Sequence, residues 1–443
     1  MSSEAKEFPA TSYNDWLEKV EKDLRDKSFE DIVWDHSALG AIEPMYANDH
    51  SKEAVAIPPR SIQGKGNHWQ IRQSFRGSGN NKNILDALKG GAEAVELQVN
   101  SDLQSELKDV FLDMIEVHLN AEVSEISSLL PQINQLSSFK GSVNCDPVIH
   151  LLKTGEDNIE SAVRALHHIG TEHQGVRSLT IDAASVYEAG GTCVQEIAYA
   201  LCAGEHMLDA AISCGASIDE ASAMVEIRLA AGSSYFETVA KMRAMRMMWA
   251  QLLEAYAPDH NCSVVVWIHA VGTLRTQSTT DIHNNLLRAT SSAMAAAAGG
   301  CDSLTIEPYT FPKADQDPMR YARNIQHMLR DESFFDEVED AGHGSYYITE
   351  LTDRMIHEAG ALASNLGQLG GFASAEGRTH FIDGVTASAR ALIESFTSKN
   401  SVLVGVNRFE AEERNALRED MNALKPLEAI KLSEWGAQTV NVS

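Results

Sequence analysis

The chain has no apolar run long enough to cross a membrane; the stretch Ala293–Ala298 falls far short of the ~20 residues a spanning helix needs. Its first twenty residues carry Glu, Lys, Asn and Asp and hold no apolar core, so no secretory leader is expected. The cytoplasm is the expected compartment. Basic residues are scarce: 36 Lys and Arg stand against 63 Asp and Glu, a formal charge of −27. That balance excludes a nucleic-acid binder, whose affinity comes from clustered cations on phosphate. It leaves a phosphorylated ligand open, because a local basic pocket outweighs a distant, screened field. The 6 cysteines (145, 193, 202, 214, 262 and 301) form no C-x-x-C, and they read as buried thiols rather than a disulfide or zinc framework. Neither H-x-H nor H-E-x-x-H occurs. Gly77-Ser78-Gly79 lacks the third glycine of a dinucleotide-binding loop.

A composition of 44% hydrophobic and 22% charged residues is ample for a large core. Residues 1–66 read as an arm: an amphipathic helix at Tyr13–Leu24, then Trp34, Met45 and Tyr46 among turn formers, then Ile57-Pro58-Pro59, which favours an extended path. Such an arm either packs on its own barrel or reaches a partner chain. From Trp69 short apolar runs alternate with stretches of helical period. The expected strands are Trp69–Phe75, Ala94–Val99, Ile115–Leu119, Gly141–Asn144, Ser178–Asp182, Val225–Leu229, Ser263–His269 and Asp302–Glu307. The expected helices are Ile84–Lys89, Leu103–Leu112, Ser124–Leu136, Asn158–Ile169, Val194–Cys214, Tyr235–Tyr256, Asp281–Ala298 and Arg320–Arg330. Asp157, Thr192 and Thr280 are the expected caps, and Gly90-Gly91, Gly170, Gly215 and Gly299-Gly300 the expected stops. Strict alternation predicts a closed (β/α)8 TIM barrel over 67–335 in preference to an open doubly wound sheet. A C-terminal helical extension over 336–443 follows, with helices at Tyr347–Leu369 and Ile382–Thr397 and a strand-like Val402–Val406.

Several stretches resemble the methylmalonyl-CoA mutase family. Phe236–Leu252 (FETVAKMRAMRMMWAQL) is similar to its V-A-K-x-R-A-x-R-x-x-W-A helix, and Asp281–Arg288 (DIHNNLLR) to its D-x-x-N-N-x-x-R. Gly344–Thr352 (GSYYITELT), Val404–Phe409 (VGVNRF) and Trp69–Gln73 (WQIRQ) match further family segments, so the likeness runs from 69 to 409. On their own residues these stretches are mostly packing: Phe236, Val239, Met242, Met245, Trp249 and Leu252 repeat at helical spacing.

The resemblance implies a radical rearrangement of an acyl-CoA, with adenosylcobalamin supplying the radical and CoA threaded along the barrel axis. The residues for it are missing. The family's cobalamin motif D-x-H-x-x-G does not occur, and no stretch is left over for a cobalamin-binding domain, so no cofactor is expected on this chain. Ala184 and Ser185 stand where the family has its active-site Tyr and His, and Ser74 replaces the tyrosine that would face cobalamin. Asp146–Asp157 shortens the segment that carries the family's carboxylate-binding arginine and contains no Arg, and Trp267–Val271 (WIHAV) replaces the polar R-T-H-S-Q. The expectation is therefore a small, non-catalytic subunit of a heterodimeric mutase (an isomerase), its large partner holding adenosylcobalamin and the complex handling acyl-CoA.

Polar residues nevertheless gather at predicted strand ends: Arg72, Gln98, His118, Asn144, Asp182, His269 and Glu307. They read as a vestigial barrel pocket whose members bond one another, and no metal is expected. The competing readings are an acyl-CoA-binding subunit of a split cobalamin mutase, or a repurposed barrel with a metal-dependent site. His167, His168 and His173 are expected to face solvent.

Overall fold

A computed structural model describes residues 11–47, 66–99, 102–313, 316–410, 418, 420–421 and 424–435. The pair Pro58-Pro59 lies outside them. The arm opens with α1 (Tyr13–Leu24), whose Ser12 and Asp15 form a reciprocal capping box. A short antiparallel hairpin follows, β1 (Trp34–His36) and β2 (Gly40–Ile42), where turn-formers had hidden any strand from the sequence. The hairpin folds back on its own barrel: His36 Nε2 lies 3.0 Å from Glu237 Oε2, and Arg354 Nη1 donates to the Leu39 carbonyl at 3.1 Å.

The barrel strands are β3 (Gln70–Phe75), β4 (Ala94–Gln98), β5 (Glu116–Asn120), β6 (Gly141–Asn144), β7 (Leu179–Asp182), β8 (Val225–Ala231), β9 (Trp267–Gly272) and β10 (Ser303–Thr305). They lie side by side in the order β6-β5-β4-β3-β10-β9-β8-β7, every pair parallel. The circle closes between β6 and β7. Arg177, just before β7, donates its backbone N–H to the Gly141 carbonyl at 2.9 Å, and its own carbonyl accepts from Val143 at 3.0 Å. Gly141 sits at φ +124, and a Cβ there would meet the Val117 carbonyl oxygen at 2.2 Å, so only glycine lets β6 approach β5. The fold is the expected (β/α)8 barrel.

Helices α2 (Asn81–Lys89), α3 (Leu103–Glu106), α4 (Ile126–Ile133), α5 (Pro147–Thr154), α6 (Ile159–Glu172), α7 (Ala184–Glu188), α8 (Cys193–Ser213), α9 (Ile218–Ala223), α10 (Tyr235–Ala255), α11 (Asn284–Ala298) and α12 (Gln316–His327) surround or link the strands. Two long helices, α13 (Tyr346–Gln368) and α14 (Ala375–Thr397), extend the shell. Thr192 caps α8 through a box with Gln195, as its spacing predicts.

Some boundaries differ from the sequence reading. The expected helix Leu103–Leu112 stops after one turn, because Asp109 takes a left-handed φ of 63. The strand expected from Ser263 begins at Trp267, and Asn261–Val264 is a 3-10 turn. Gly170 lies inside α6 rather than ending it, packed where a Cβ would strike Met224. Thr280 is not a cap, since α11 starts four residues later behind His283. Val402–Val406 forms no strand. Asn407 gathers it into a turn by donating to the Phe396 and Ser401 carbonyls and accepting from Leu403 N.

Candidate functional site in the barrel axis

Buried parallel strands are usually apolar on both faces. Here they alternate. In β4, β5 and β8 the apolar residues Val95, Leu97, Val117, Leu119, Ile227 and Leu229 join the shell core beneath the helices. Their neighbours Glu96, His118, Asn120, Glu226 and Arg228 meet across the axis as polar partners. The period of two that makes a strand thus carries a polar column into the barrel's centre.

Arg72 lies at the middle of this column. Both its terminal nitrogens donate to Glu226, at 2.9 and 3.0 Å to Oε1 and 3.0 Å to Oε2, and Nη1 reaches Glu96 at 3.4 Å. Glu226 also accepts from Arg177 Nε at 3.1 Å, and Arg177 passes on to Glu116 at 2.5 Å while stacking 3.9 Å over the Trp267 ring. Ser142 links His118 Nδ1 (2.8 Å) to Asn144 Oδ1 (2.8 Å). Asn144 donates to Asn120, and Asn120 to Glu96, each at 2.8 Å. Arg228 lies 3.8 Å from Glu96 and 3.7 Å from Asp182. His269 Nδ1 meets Ser303 Oγ at 2.8 Å. Arg72, His118, Ser142, Glu226, His269 and Ser303 are each at most 1% exposed.

Five of the seven residues singled out from the sequence therefore meet in one connected network: Arg72, His118, Asn144, Asp182 and His269. Glu307 stands apart at the rim, paired with Arg76 at 2.6 Å. Gln98, half-buried at the end of β4, is not among the network's bonds. The partners that hold the network together were not singled out: Glu96, Glu116, Asn120, Ser142, Arg177, Glu226, Arg228 and Ser303. Their signal was the polar alternation along each strand rather than a position at strand ends. Of the three exchanged family positions, Ala184 is buried against Tyr187 and Ala230. Ser185 Oγ donates to Asp182 at 2.6 Å, and Ser74 is half-buried on β3. His168 is exposed, while His167 and His173 are half-buried, His173 lying 2.9 Å from Asn134 Oδ1.

The electrostatics follow from burial among arginines. Burial alone would push Glu96 up, but Arg228 and Arg72 outweigh it and hold the carboxyl below its ordinary value. A carboxylate held down by two guanidinium groups is a poor proton acceptor. Burial first, then Arg72 and Arg177 or Arg228, keeps His118 and His269 well below the usual imidazole range. With both rings fully buried, neither reaches a solute. Among the described residues no group of three or more His, Cys, Asp and Glu side chains is arranged to hold a metal ion. The column is chemically a plug: its guanidinium and carboxylate groups pair with one another, while Nε of Arg72 and Arg228 and Nε2 of His118 and His269 lie buried without a hydrogen-bond partner among the described residues.

Linkage makes the histidines measurable. A base depressed in the fold adds stability above its ordinary 6.5 and loses it as pH falls, because unfolding then takes up a proton. Asp146 has the opposite sign. It caps α5 through Val148 N (2.9 Å) and accepts from Tyr199 Oη (2.7 Å), yet burial raises its carboxyl from 3.8 to about 6. Its contribution is present at low pH and is lost as pH rises through 6. Glu196, raised by burial to about 7, has the same sign as Asp146, so the two histidines and these two carboxyls pull against one another as pH falls. Urea titrations at pH 7, 6 and 5 on wild type and on the pair His118→Asn with His269→Asn should isolate the histidines' share: wild type should lose more stability than the pair as pH falls. An unchanged slope in that pair would refute the assignment.

In the stretch of α10 that resembles the family's helix, the charged residues are structural. In α10, Lys241 pairs with Glu196, Arg243 with Asp340 and Arg246 with Asp302, and all three cations are at most 2% exposed. A family profile described as methylmalonyl-CoA mutase matches residues 81–438. The chain is 28% identical over 471 residues to the "Methylmalonyl-CoA mutase small subunit" of Porphyromonas gingivalis, spanning 98% of this chain and 76% of that protein. It is 27% identical over 461 residues to the protein of the same name from Streptomyces virginiae, spanning 95% and 74%. To the "Methylmalonyl-CoA mutase" of Escherichia coli it is 30% identical over 242 residues, spanning 53% and 33%.

Proposed function

The chain belongs to the methylmalonyl-CoA mutase family, and on that premise we propose that it is the small, non-catalytic subunit of a two-chain mutase interconverting methylmalonyl-CoA and succinyl-CoA. The observation that carries this reading is the filled axis. A substrate threaded along the barrel would have to displace Arg72, Glu226 and Arg177 from one another, each move stranding a buried charge. Two relatives that match over nearly the whole chain are named as small subunits.

Adenosylcobalamin, when bound, supplies the radical that starts such a rearrangement. The residues here do not fit it: both barrel histidines are fully buried, their Nδ1 atoms are engaged by Ser142 and Ser303, and each Nε2 faces a carboxylate of the column, Glu116 at 3.6 Å and Glu96 at 3.9 Å. The cofactor and the chemistry therefore belong to the large partner in this reading. The chain's own part is to stabilise that partner as a heterodimer, in the cytoplasm.

Co-expression with the large chain, followed by sizing and assay, tests this. The expected result is a one-to-one complex active with adenosylcobalamin, while this chain alone retains no cobalamin and turns over no methylmalonyl-CoA. Installing Ala184→Tyr and Ser185→His should leave it inactive, because the axis stays filled. Turnover by this chain alone would overturn the reading.

A further inference from the structure

The segment that ends at Trp435 crosses the face of the barrel on which the strands finish. Ile430 N donates to the Glu188 carbonyl at 2.8 Å, in the loop after β7. Leu432 N donates to the Arg275 carbonyl at 2.9 Å, and Ser433 Oγ to the Gln277 carbonyl at 2.9 Å, both in the loop after β9. Lys431, between them, holds its Nζ 5.2 Å from the ring centre of Phe311, in the loop after β10. Residues 428–435 thus form a strap over the side of the barrel on which barrel enzymes take in their ligands.

The two residues that receive the strap's backbone also fasten their own loops together. Arg275 Nη1 donates to the Tyr187 and Gly191 carbonyls at 2.9 and 3.1 Å, with its guanidinium 3.6 Å over the Tyr187 ring. Glu188 accepts from Thr273 Oγ1 at 2.5 Å and from Leu274 N at 3.2 Å. The loops after β7 and β9 are therefore clasped to each other at the residues the strap touches. Gly190 lets the strap close directly on the loop: a Cβ there would meet Ala389 of α14 at 2.5 Å and Ile430 Cδ1 at 3.1 Å.

The strap's apolar grip lies outside the barrel. Ile430, Leu432 and Trp435 are at most 5% exposed, and they pack with Ile393 and Phe396 of α14 and with Leu403 and Val406. That cluster is separate from the core beneath the barrel helices, which instead claims Leu427 at the strap's root. Leu427 bends the chain there at φ 52, a left-handed conformation that costs an L-residue energy. The strap has its own small core, a strained bend at its root and, among the described residues, three hydrogen bonds to the barrel. A segment held in this way is of the kind that opens locally.

We propose that residues 428–435 are a latch on the ligand face of the barrel. Closed, they hold the loops after β7 and β9 against each other; they open together with their own core while the barrel stays folded. The latch goes beyond the small-subunit reading and does not depend on it.

Hydrogen exchange on the full chain at pH 7, read peptide by peptide, tests both halves. In the wild type, amides over 428–435 should exchange as one group, about tenfold or more faster than those of β7 and β8. In Ile430→Asp with Leu432→Asp the latch should stay open. Exchange over 183–192 and 273–278 should then rise about tenfold, while β4 and β5, across the barrel, keep their wild-type rates. A cooperative melting transition shows that the variant's barrel is folded. Strap amides that exchange no faster than the barrel strands overturn the separate opening, and loops unmoved in the folded variant overturn the latch. A rise that spreads to β4 and β5 assigns the strap to the stability of the whole barrel and also overturns the proposal. If the double variant does not fold, the milder Leu432→Ala takes its place, and the same readings decide.

Discussion

Glu226→Gln should cost the isolated chain about 3–5 kcal/mol of stability, the range for breaking a buried ion pair from one side. The carboxylate is fully buried and receives three hydrogen bonds from Arg72 and one from Arg177. An amide keeps the shape and one accepting oxygen but removes the charge, leaving Glu96 at 3.4 Å as the carboxylate that faces Arg72. The guanidinium cannot escape by losing its proton, so a buried charge is left with its weaker partner. Adding Arg72→Met to Glu226→Gln should restore part of the loss, because removing both partners leaves fewer unmet charges than removing one. The readout is the urea midpoint at pH 7. A loss below ~1 kcal/mol, typical of an exposed pair, would show that water reaches the axis.

Arg246→Met has a comparable expected effect for a different reason. Its side chain is the bolt at the base of the barrel: Nη1 donates to the Val266 carbonyl at 2.9 Å, and Nη2 to the Gly300 carbonyl at 2.7 Å and to Asp302 at 2.6 Å. Asp302 in turn accepts from Ile268 N at 2.8 Å, so one guanidinium links α10, β9 and β10. Methionine fills the volume but removes a donor from two carbonyls and the cation from a buried carboxylate, a loss of about 3–5 kcal/mol. For a chain this long that lowers the melting temperature by ~4 °C. Arg246→Lys should recover little of it, since an ammonium lacks the planar fork that serves three acceptors. A lysine variant as stable as wild type would reduce the residue to a charge.

Both residues show why the site was less legible than the fold. Arg246 sits in a stretch whose helical repeat of Phe236, Val239, Met242 and Met245 is plain and which resembles the family's helix pattern. Periodicity assigns a buried stripe, but it does not say that Lys241, Arg243 and Arg246 are buried as well. Those three depend on acids from α8, residue 340 and β10, none near in sequence. Along the strands the polar residues were visible, yet those at the C-terminal ends drew attention because barrel enzymes place their chemistry there. The acids and arginines one step inward, Glu96, Glu226 and Arg177, turned out to hold the column together.

What the sequence determined by itself is therefore the order of elements and the kind of barrel. Local propensity, caps such as Thr192 with Gln195, and periods of 3.6 and 2 act over a few residues, so they can be read from a few residues. The tertiary structure decided which charges meet. Arg72 and Glu226 are 154 residues apart and come within 2.9 Å only because the circle of strands closes between β6 and β7. Closure sets which inward-facing side chains stand opposite one another, and no local rule carries that information. It also turns a set of polar strand residues, any of which a catalytic site might use, into a column whose arginines and carboxylates bond one another across the axis.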